Sequence, residues 1–194
     1  MKRPAVFIDR DGTINEQMGY INHISRFVLL PGSAEAIRLF NENGYLVVVV
    51  SNQSGVGRGY FPLELVNEVH DRMKTLLAGE GARVDGIFFC PHYPGGKLPE
   101  YSVSCECRKP GTGLIKMACE SFDIDLENSY VIGDRSTDVE LARNAGARGI
   151  LVKTGYGRGD LEYVFPGLPF RPFHTADDLL EAARWIVEGT RHKA

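Results

Sequence analysis

The chain has 194 residues, of which 43% are hydrophobic and 24% are charged, so it is large and apolar enough to bury the core of a soluble domain. Its formal net charge of -3 provides no broad basic surface, which argues against a protein that binds nucleic acid. The longest apolar run, residues 46–50, is too short to cross a bilayer, and the N-terminal residues lack a signal-peptide pattern, so we expect a cytoplasmic protein without a membrane partner.

Short β-branched segments alternate along the chain with segments of helical periodicity. In chain order, the predicted strands are 5–8, 46–50, 86–89, 130–132 and 149–152, and the predicted helices are 33–43, 63–77, 113–122, 136–145 and 176–187. Ser33 is the expected N-cap of the first helix, and the expected helix terminators are glycines: Gly44, Gly79, Gly81 and Gly146. The alternation predicts an α/β fold with a doubly wound, Rossmann-like parallel sheet in a single domain over residues 1–194.

The first predicted strand runs into the sequence "FIDRDGTIN", which places Asp9 and Asp11 two positions apart, on either side of Arg10. Asp-Gly is a common turn signal, and strands often end in acids that cap the next element. The alternative is chemical, because residues i and i+2 of an extended chain point to the same side and a buried carboxylate needs a partner or a metal. This stretch alone does not distinguish the two interpretations, so the other strand ends are decisive.

Polar residues also follow the other strands of the predicted sheet. Ser51 and Asn52 follow the second strand, Lys109 lies after the third, and Asp134 and Asp138 follow the fourth. Because ligands of doubly wound sheets bind beyond the carboxyl ends of the strands, these side chains are expected to share one crevice with the two acids after the first strand. Together they supply a nucleophile, an acid/base, a hydroxyl, a cation and carboxylates for Mg²⁺, which is the set that phosphoryl transfer needs.

Two long irregular segments, 13–32 and 90–113, are expected at the same edge, where long loops are usually functional. The second contains two pairs of soft ligands suited to tetrahedral zinc: Cys90 with His92, and Cys105 with Cys107. Disulfides are the poorer alternative in a cytosolic chain, and Cys119 is expected to pack in the core. Four protein ligands leave no position for substrate, so the zinc would be structural and would place Arg108 and Lys109, which follow directly.

Four segments, "DRDGT", "VVVVSNQSG", "CRKP" and "VIGDRSTD", resemble the motifs of the haloacid dehalogenase superfamily of aspartate-nucleophile phosphatases, over essentially the whole chain. The resemblance implies that Asp9 is the nucleophile, which forms an aspartyl-phosphate, and that Asp11 is the general acid/base. It also implies that Ser51 and Lys109 bind the phosphoryl oxygens. Mg²⁺ would be bound by Asp9, the backbone carbonyl of Asp11, and Asp134.

Within this superfamily, the zinc-binding loop and the small domain with a minimal cap resemble the heptose bisphosphate phosphatases and the related histidinol-phosphate phosphatases. The long interval from His92 to Cys105 favours the heptose family, whose resemblance implies removal of the 7-phosphate from D-glycero-D-manno-heptose 1,7-bisphosphate. Arg108 is expected to act beside Lys109 in catalysis and in binding the second phosphate. The expected substrate contacts are Gly19, Tyr20, Asn52, Gln53, Ser54, Arg108 and Lys109.

Two residue roles and two other functions stay open. Arg135 stands where the heptose enzymes often have lysine, and Asp138 either orients Asp134 or a water on the metal, or only stabilises the first turn of the following helix. A non-catalytic sugar-phosphate-binding protein would have little use for both Asp9 and Asp11. A zinc-dependent nucleic-acid module would need a basic, aromatic-rich face, which the sequence lacks. The protein is expected to be a monomer.

Overall fold

A computed structural model describes residues 2–191 of the protein. The strands in this range are β1 (Ala5–Ile8), β2 (Leu46–Asn52), β3 (Gly86–Cys90), β4 (Tyr130–Gly133), β5 (Arg148–Val152) and β6 (His174–Ala176). The α-helices are α1 (Ser33–Glu42), α2 (Leu63–Gly79), α3 (Gly113–Ser121), α4 (Ser136–Ala145), the short α5 (Gly157–Gly159) and α6 (Leu179–Arg191). None of the helices described is long and apolar enough to cross a membrane.

The strands form one parallel sheet in the order β3-β2-β1-β4-β5-β6. In the middle of the sheet, Ile8 of β1 pairs with Val49 of β2 on one side and with Ile132 of β4 on the other. The chain order reverses between β1 and β4, so the carboxyl ends of these two strands border the crevice in which doubly wound folds bind ligands. The predicted doubly wound parallel sheet is confirmed.

Helices cover both faces of the sheet, because successive side chains of each strand point to opposite faces. On one face, Val6 and Ile8 of β1 pack in a buried cluster with apolar residues of α1, α2 and α6. On the other face, Ala5 and Phe7 pack with apolar residues of α3 and α4. Burial of each large apolar side chain contributes about 1.5–3 kcal/mol to the stability of the fold, so the end of β1 is held firmly in position.

The beginning of α1 differs from the prediction. The N-cap is Gly32, whose φ of 77° is left-handed, and Ser33 is already the first residue of the helix. The Ser33 hydroxyl is buried and makes no hydrogen bond within residues 2–191, so the predicted cap is wrong. A left-handed turn favours glycine, which has no Cβ to clash. The predicted terminators Gly44, Gly81 and Gly146 are left-handed glycines that follow helices, whereas Gly79 is the last residue of α2.

The predicted helix 176–187 is wrong at its start. Residues His174–Ala176 form the edge strand β6, and α6 begins only at Leu179. The strand is defined by its pairing with β5, in which Thr175 lies opposite Leu151. Three residues are too few to show a strand periodicity, so no pattern in the sequence marks this strand.

The two long segments predicted to be irregular follow the carboxyl ends of β1 and β3. The first contains one 3₁₀ turn, Ile24–Arg26, and the second contains one at Pro99–Tyr101. Neither holds a regular element longer than three residues, which agrees with the predicted minimal cap. Within residues 2–191, the site at this edge of the sheet is therefore bordered by loops.

Candidate active site

A cavity of about 360 Å³ opens at the carboxyl edge of the sheet. It is lined by residues at the end of β2, by residues that follow β1, β4 and β5, and by residues from the segment after β3. The lining includes every predicted catalytic and substrate-binding residue: Asp9, Asp11, Gly19, Tyr20, Ser51, Asn52, Gln53, Ser54, Arg108 and Lys109. Asp134 and Asp138 line it as well, so the residues predicted to share one crevice are brought together.

Lys109 is a buried cation in this cavity. Its Nζ donates to Asp9 Oδ1 at 2.7 Å, to Asp138 Oδ1 at 2.6 Å and to the carbonyl of Val50 at 3.0 Å. Burial opposes the charge on Lys109, but the two carboxylates outweigh burial and hold the pKa of the ammonium above its usual value. The lysine is therefore a fixed positive charge next to Asp9.

Three buried carboxylates, of Asp9, Asp134 and Asp138, each offer an oxygen within 4.8 Å of the others. Burial raises the pKa of Asp9 to about 6, although the charge of Lys109 opposes the change. Burial also raises the pKa of Asp134 to about 8, and the negative charges of Asp9 and Asp138 add to the effect. A cluster of this kind is costly unless a cation neutralises it.

The surroundings of Asp134 fit such a cation. Its Oδ2 accepts a hydrogen bond from the backbone N–H of Tyr156 at 2.8 Å, whereas Oδ1 is buried and has no hydrogen-bond partner among residues 2–191. A Cβ at either Gly12 or Gly155 would clash with Asp134 Oδ2, so glycine at both positions leaves room for the carboxylate itself. The carboxylate ligands and the orphaned oxygen fit Mg²⁺.

The carboxylate of Asp11 lies outside this cluster. It accepts hydrogen bonds from Arg10 at 2.7 Å, Asn15 at 3.0 Å and Gln53 at 2.8 Å. Burial opposes the ionisation of Asp11, but the charge of Arg10 and these hydrogen bonds hold its pKa below the usual value. The backbone carbonyl of Asp11 accepts a long hydrogen bond of 3.4 Å from Gln17, and its part in metal binding stays a prediction.

Two residues at the end of β2 support the site. Ser51 is buried, and its Oγ accepts a hydrogen bond from Gln53 Nε2 at 2.8 Å. The side chain of Asn52 binds the main chain of Lys109, since Oδ1 accepts from the Lys109 N–H at 3.0 Å and Nδ2 donates to its carbonyl at 3.2 Å. The strand thus positions both the hydroxyl predicted to bind phosphoryl oxygens and the loop that carries the lysine.

Four soft ligands meet in the second long segment. The Sγ of Cys107 lies 3.0 Å from that of Cys90 and 3.1 Å from that of Cys105, and His92 Nδ1 lies 3.2 Å from Cys107 Sγ. All four donor atoms fall within 4.8 Å of one another, and the cysteines are free of disulfides. This donor set fits the predicted tetrahedral zinc. Cys119 packs against the core, as predicted.

The cavity also contains residues that sequence reasoning overlooked or left open. Arg58 lines it, and its guanidinium carbon lies 3.5 Å from the centre of the Tyr93 ring. The backbone N–H of Tyr156 donates to Asp134, and the guanidinium carbon of Arg135 lies 4.7 Å from the centre of the Tyr156 ring. Arg58 belongs to the glycine-rich stretch after β2, which was a signal available in the sequence, whereas nothing in the sequence marks Tyr156.

Known proteins are similar to this chain in sequence. Residues 106–182 match a family model described as HAD-hydrolase-like. The chain is 42% identical over 190 residues to the D-glycero-D-manno-heptose-1,7-bisphosphate 7-phosphatase of Thermosynechococcus vestitus, with 96% of each chain covered. The chain belongs to this family of phosphatases. Another member, the D-glycero-beta-D-manno-heptose-1,7-bisphosphate 7-phosphatase of Yersinia pestis, is 43% identical over 78% of this chain and 81% of its own.

Solved structures of heptose bisphosphate phosphatases have the same fold. The enzyme from B. bronchiseptica, in complex with magnesium and phosphate, is 34% identical and superposes with a TM-score of 0.85, covering 96% of this chain and 99% of its own. The enzyme from Burkholderia thailandensis is 32% identical, with a TM-score of 0.69 and coverage of 95% and 99%. The predictions of a haloacid dehalogenase fold and of a phosphatase are confirmed.

Proposed function

We propose that this protein hydrolyses the 7-phosphate of D-glycero-D-manno-heptose 1,7-bisphosphate, with Asp9 as its nucleophile. The observation that carries the proposal is the pairing of Asp9 with the buried ammonium of Lys109, beside the carboxylates of Asp134 and Asp138. Relatives that are 42% and 43% identical are heptose bisphosphate 7-phosphatases, which supports the choice of substrate. The proposal treats residues 1–194 as one phosphatase domain that acts as a cytoplasmic monomer.

Asp9, Asp134 and the backbone carbonyl of Asp11 would hold Mg²⁺. When bound, the ion would neutralise the negative charge that otherwise repels a carboxylate from an anionic phosphoryl group. Lys109 adds a second positive charge at 2.7 Å from Asp9 Oδ1. Both charges favour the ionised form of Asp9, which the attack on phosphorus requires and which burial alone disfavours.

Hydrolysis proceeds in two steps. In the first, a carboxylate oxygen of Asp9 bonds to phosphorus, the bond from phosphorus to the sugar oxygen breaks, and Asp11 donates a proton to that oxygen. In the second, Asp11 takes a proton from water while the water oxygen bonds to phosphorus and the bond from phosphorus to Asp9 breaks. Ser51 Oγ and Lys109 Nζ bind the equatorial oxygens, where negative charge gathers. A phosphate dianion near Asp11 raises the pKa of its carboxyl, which favours the protonated form needed first.

Two arginines at the cavity are available for the second phosphate. Arg58 and Arg108 both line it, and within residues 2–191 no carboxylate is paired with either guanidinium. Their guanidinium carbons lie 3.5 Å and 5.4 Å from the centre of the Tyr93 ring, which helps to hold both in place. A guanidinium fork binds phosphate in bidentate fashion. The same pair would repel the amine of histidinol phosphate, which favours the bisphosphate over that alternative.

The proposed zinc ion would be structural. Cys90, His92, Cys105 and Cys107 supply a complete tetrahedral set, so no position is left for a substrate. The last of these ligands precedes Arg108 and Lys109 directly in the chain. Zinc binding would therefore fix the backbone from which both cations reach the cavity.

Phosphate release with Mg²⁺ should be measured for heptose 1,7-bisphosphate, heptose 7-phosphate and histidinol phosphate. We expect the highest kcat/KM for the bisphosphate, with the 1-phosphate retained in the product by ³¹P NMR. A higher kcat/KM for histidinol phosphate would refute the heptose assignment and leave the aspartyl-phosphate mechanism standing. Absence of turnover with all three would support the non-catalytic sugar-phosphate-binding protein instead.

Arg108→Ala tests the second phosphate site. A hydrogen bond to a charged group contributes about 1.5–3 kcal/mol, so kcat/KM for the bisphosphate should fall about 10- to 100-fold. The kcat/KM values for heptose 7-phosphate and histidinol phosphate should change little, because neither substrate has the second phosphate. Arg38→Ala is the matched control, since Arg38 pairs with Glu42 on the surface of α1 and does not line this cavity. An equal loss with all substrates would assign Arg108 to catalysis or to loop stability.

A further inference from the structure

Arg10 is a buried arginine that the proposed steps do not use. Only 2% of its surface is exposed, and a buried guanidinium is costly unless its donors are paired. Its Nη2 donates to Asp11 Oδ2 at 2.7 Å and to Oδ1 at 2.9 Å, and its Nε donates to Oδ1 at 3.2 Å. Arg10 therefore binds the Asp11 carboxylate through a fork of two nitrogens, which restrains both its position and its plane.

Helix α2 supplies a partner for the other end of this guanidinium. Nε2 of His70 lies 3.3 Å from Arg10 Nη1, and only 5% of the histidine is exposed. Burial, followed by the charge of Arg10, lowers the pKa of His70 to about 3, so the ring is neutral and can accept a hydrogen bond from the guanidinium. The Phe89 ring packs 5.1 Å from the imidazole and limits its rotation.

Gln53 closes the network. Its Oε1 accepts from Arg10 Nη2 at 3.1 Å, and its Nε2 donates to Asp11 Oδ2 at 2.8 Å and to Ser51 Oγ at 2.8 Å. The amide thus links the carboxylate of Asp11 to the hydroxyl proposed to bind phosphoryl oxygens. Arg10, Gln53 and Ser51 thus form one connected hydrogen-bond network around the Asp11 carboxylate, which restrains it.

We propose that Arg10 is a positioning residue that holds the acid/base carboxylate of Asp11, and that His70 fixes the orientation of Arg10 from α2. The inference rests on the proposed acid/base role of Asp11. A general acid must lie within hydrogen-bond reach of the leaving oxygen, and a displacement of about 1 Å lowers a rate about 100-fold. Arg10 is not assigned to any reacting atom, so its effect passes entirely through Asp11.

The test compares two leaving groups. A sugar phosphate releases an alkoxide, which needs a proton, whereas 4-nitrophenyl phosphate releases a phenolate, which leaves without one. Because kcat/KM reports the steps up to departure of the leaving group, a misplaced general acid should affect only the sugar phosphate. For Arg10→Lys, which keeps the charge but removes the fork, we expect kcat/KM to fall about 100-fold with the sugar bisphosphate and less than about fivefold with 4-nitrophenyl phosphate.

The histidine provides a second test that does not depend on the folding of an Arg10 variant. His70→Leu removes the hydrogen-bond acceptor of Arg10. Its kcat/KM should fall about 10-fold with the sugar bisphosphate and much less with 4-nitrophenyl phosphate. His70→Gln keeps an acceptor and should recover most of the rate. His174→Leu is the matched control, because His174 lies in the edge strand β6, stacks on Trp185 and does not line the cavity. Its kcat/KM should match the wild type with both substrates.

Asp11→Asn separates this inference from the proposed function. Suppose that Asp11→Asn lowers kcat/KM more with the sugar bisphosphate than with 4-nitrophenyl phosphate, and that the Arg10 and His70 variants do not. The positioning role is then overturned and the acid/base role stands. If Asp11→Asn lowers kcat/KM equally with both substrates, the acid/base role fails and the positioning role fails with it. Wild-type kcat/KM in a folded Arg10→Lys or His70→Leu variant would also overturn the proposal.

Discussion

Asp134→Asn tests whether the carboxylate cluster carries a charge penalty that a metal ion removes. Burial and the charges of Asp9 and Asp138 raise the pKa of Asp134 from 3.8 to about 8. A carboxyl whose pKa is higher in the folded state binds its proton more tightly there, so stability is complete below about pH 4 and falls as the pH rises toward 8. At about 1.36 kcal/mol per pH unit, the loss by pH 7 is at most about 4 kcal/mol. Asparagine does not ionise, so the variant avoids this loss.

Denaturant unfolding of the Mg²⁺-free protein at pH 7 should show Asp134→Asn to be more stable than the wild type by up to about 4 kcal/mol, with the two converging near pH 4. Mg²⁺ at about 100 times its Kd should stabilise the wild type by about 2.7 kcal/mol and leave the variant unchanged. Asp177→Asn makes the same change in an exposed ion pair with Lys153 and should have little effect at either pH. A variant less stable than the wild type at pH 7 would refute the charge penalty, and equal stabilisation of both by Mg²⁺ would place the ion elsewhere.

Three further substitutions test separate parts of the site. Asp9→Asn should abolish phosphate release in a protein with an unchanged circular dichroism spectrum, because an amide does not attack phosphorus; substantial turnover would contradict the nucleophile. Cys107→Ser should lower the zinc content, measured by mass spectrometry, from about one ion per chain, and should lower kcat because Lys109 loses its support; full zinc and full activity would contradict the structural role. Gly155→Ala should raise the Mg²⁺ concentration that gives half of the maximal rate about 10- to 100-fold, because residue 155 has a φ of 54° and its Cβ would clash with the Asp134 carboxylate; an unchanged Mg²⁺ dependence would contradict this.

Much of the site could be predicted because parallel strands end at one edge of a sheet. Asp9, Ser51 and Asp134 each follow a strand whose apolar run is plain in the sequence, so the same pattern predicts both the fold and the site. Lys109 lies in a loop, where the cysteines that precede it and the resemblance of "CRKP" to a known motif indicate its role. The zinc ligands could be predicted because two pairs of soft ligands that flank one loop are typical of a tetrahedral metal site.

Contacts between segments that are distant in the sequence could not be predicted in this way. Arg10 lies within the first motif, but its pairing with His70 spans 60 positions, and no periodicity reveals it. A lone histidine on a helix usually packs in the core, so the sequence favours a structural role for His70. The N-cap of α1 depends on the left-handed turn at Gly32, which is a property of backbone geometry and not of the serine beside it.

The structure shows one of the two roles considered for Asp138. As the third residue of α4, it accepts a hydrogen bond through Oδ2 from the backbone N–H of Arg135 at 3.1 Å, which caps the helix. Its other oxygen accepts from Lys109 Nζ at 2.6 Å. Helix capping is therefore one role of Asp138, and the same carboxylate also positions the buried cation. A change at Asp138 would affect both the start of α4 and the charge beside Asp9.

The two aspartates of the first motif are neutralised by different partners, which agrees with the different roles proposed for them. Asp11 is paired with Arg10, a partner of equal and opposite charge, so it has no need of a metal. Asp9 shares Lys109 with two other buried carboxylates, so three negative charges face one positive charge. A divalent cation balances that remainder, and a monovalent cation does not. The charges thus favour a metal at the side chain of Asp9, whereas the carboxylate of Asp11 is neutralised and held in place by Arg10.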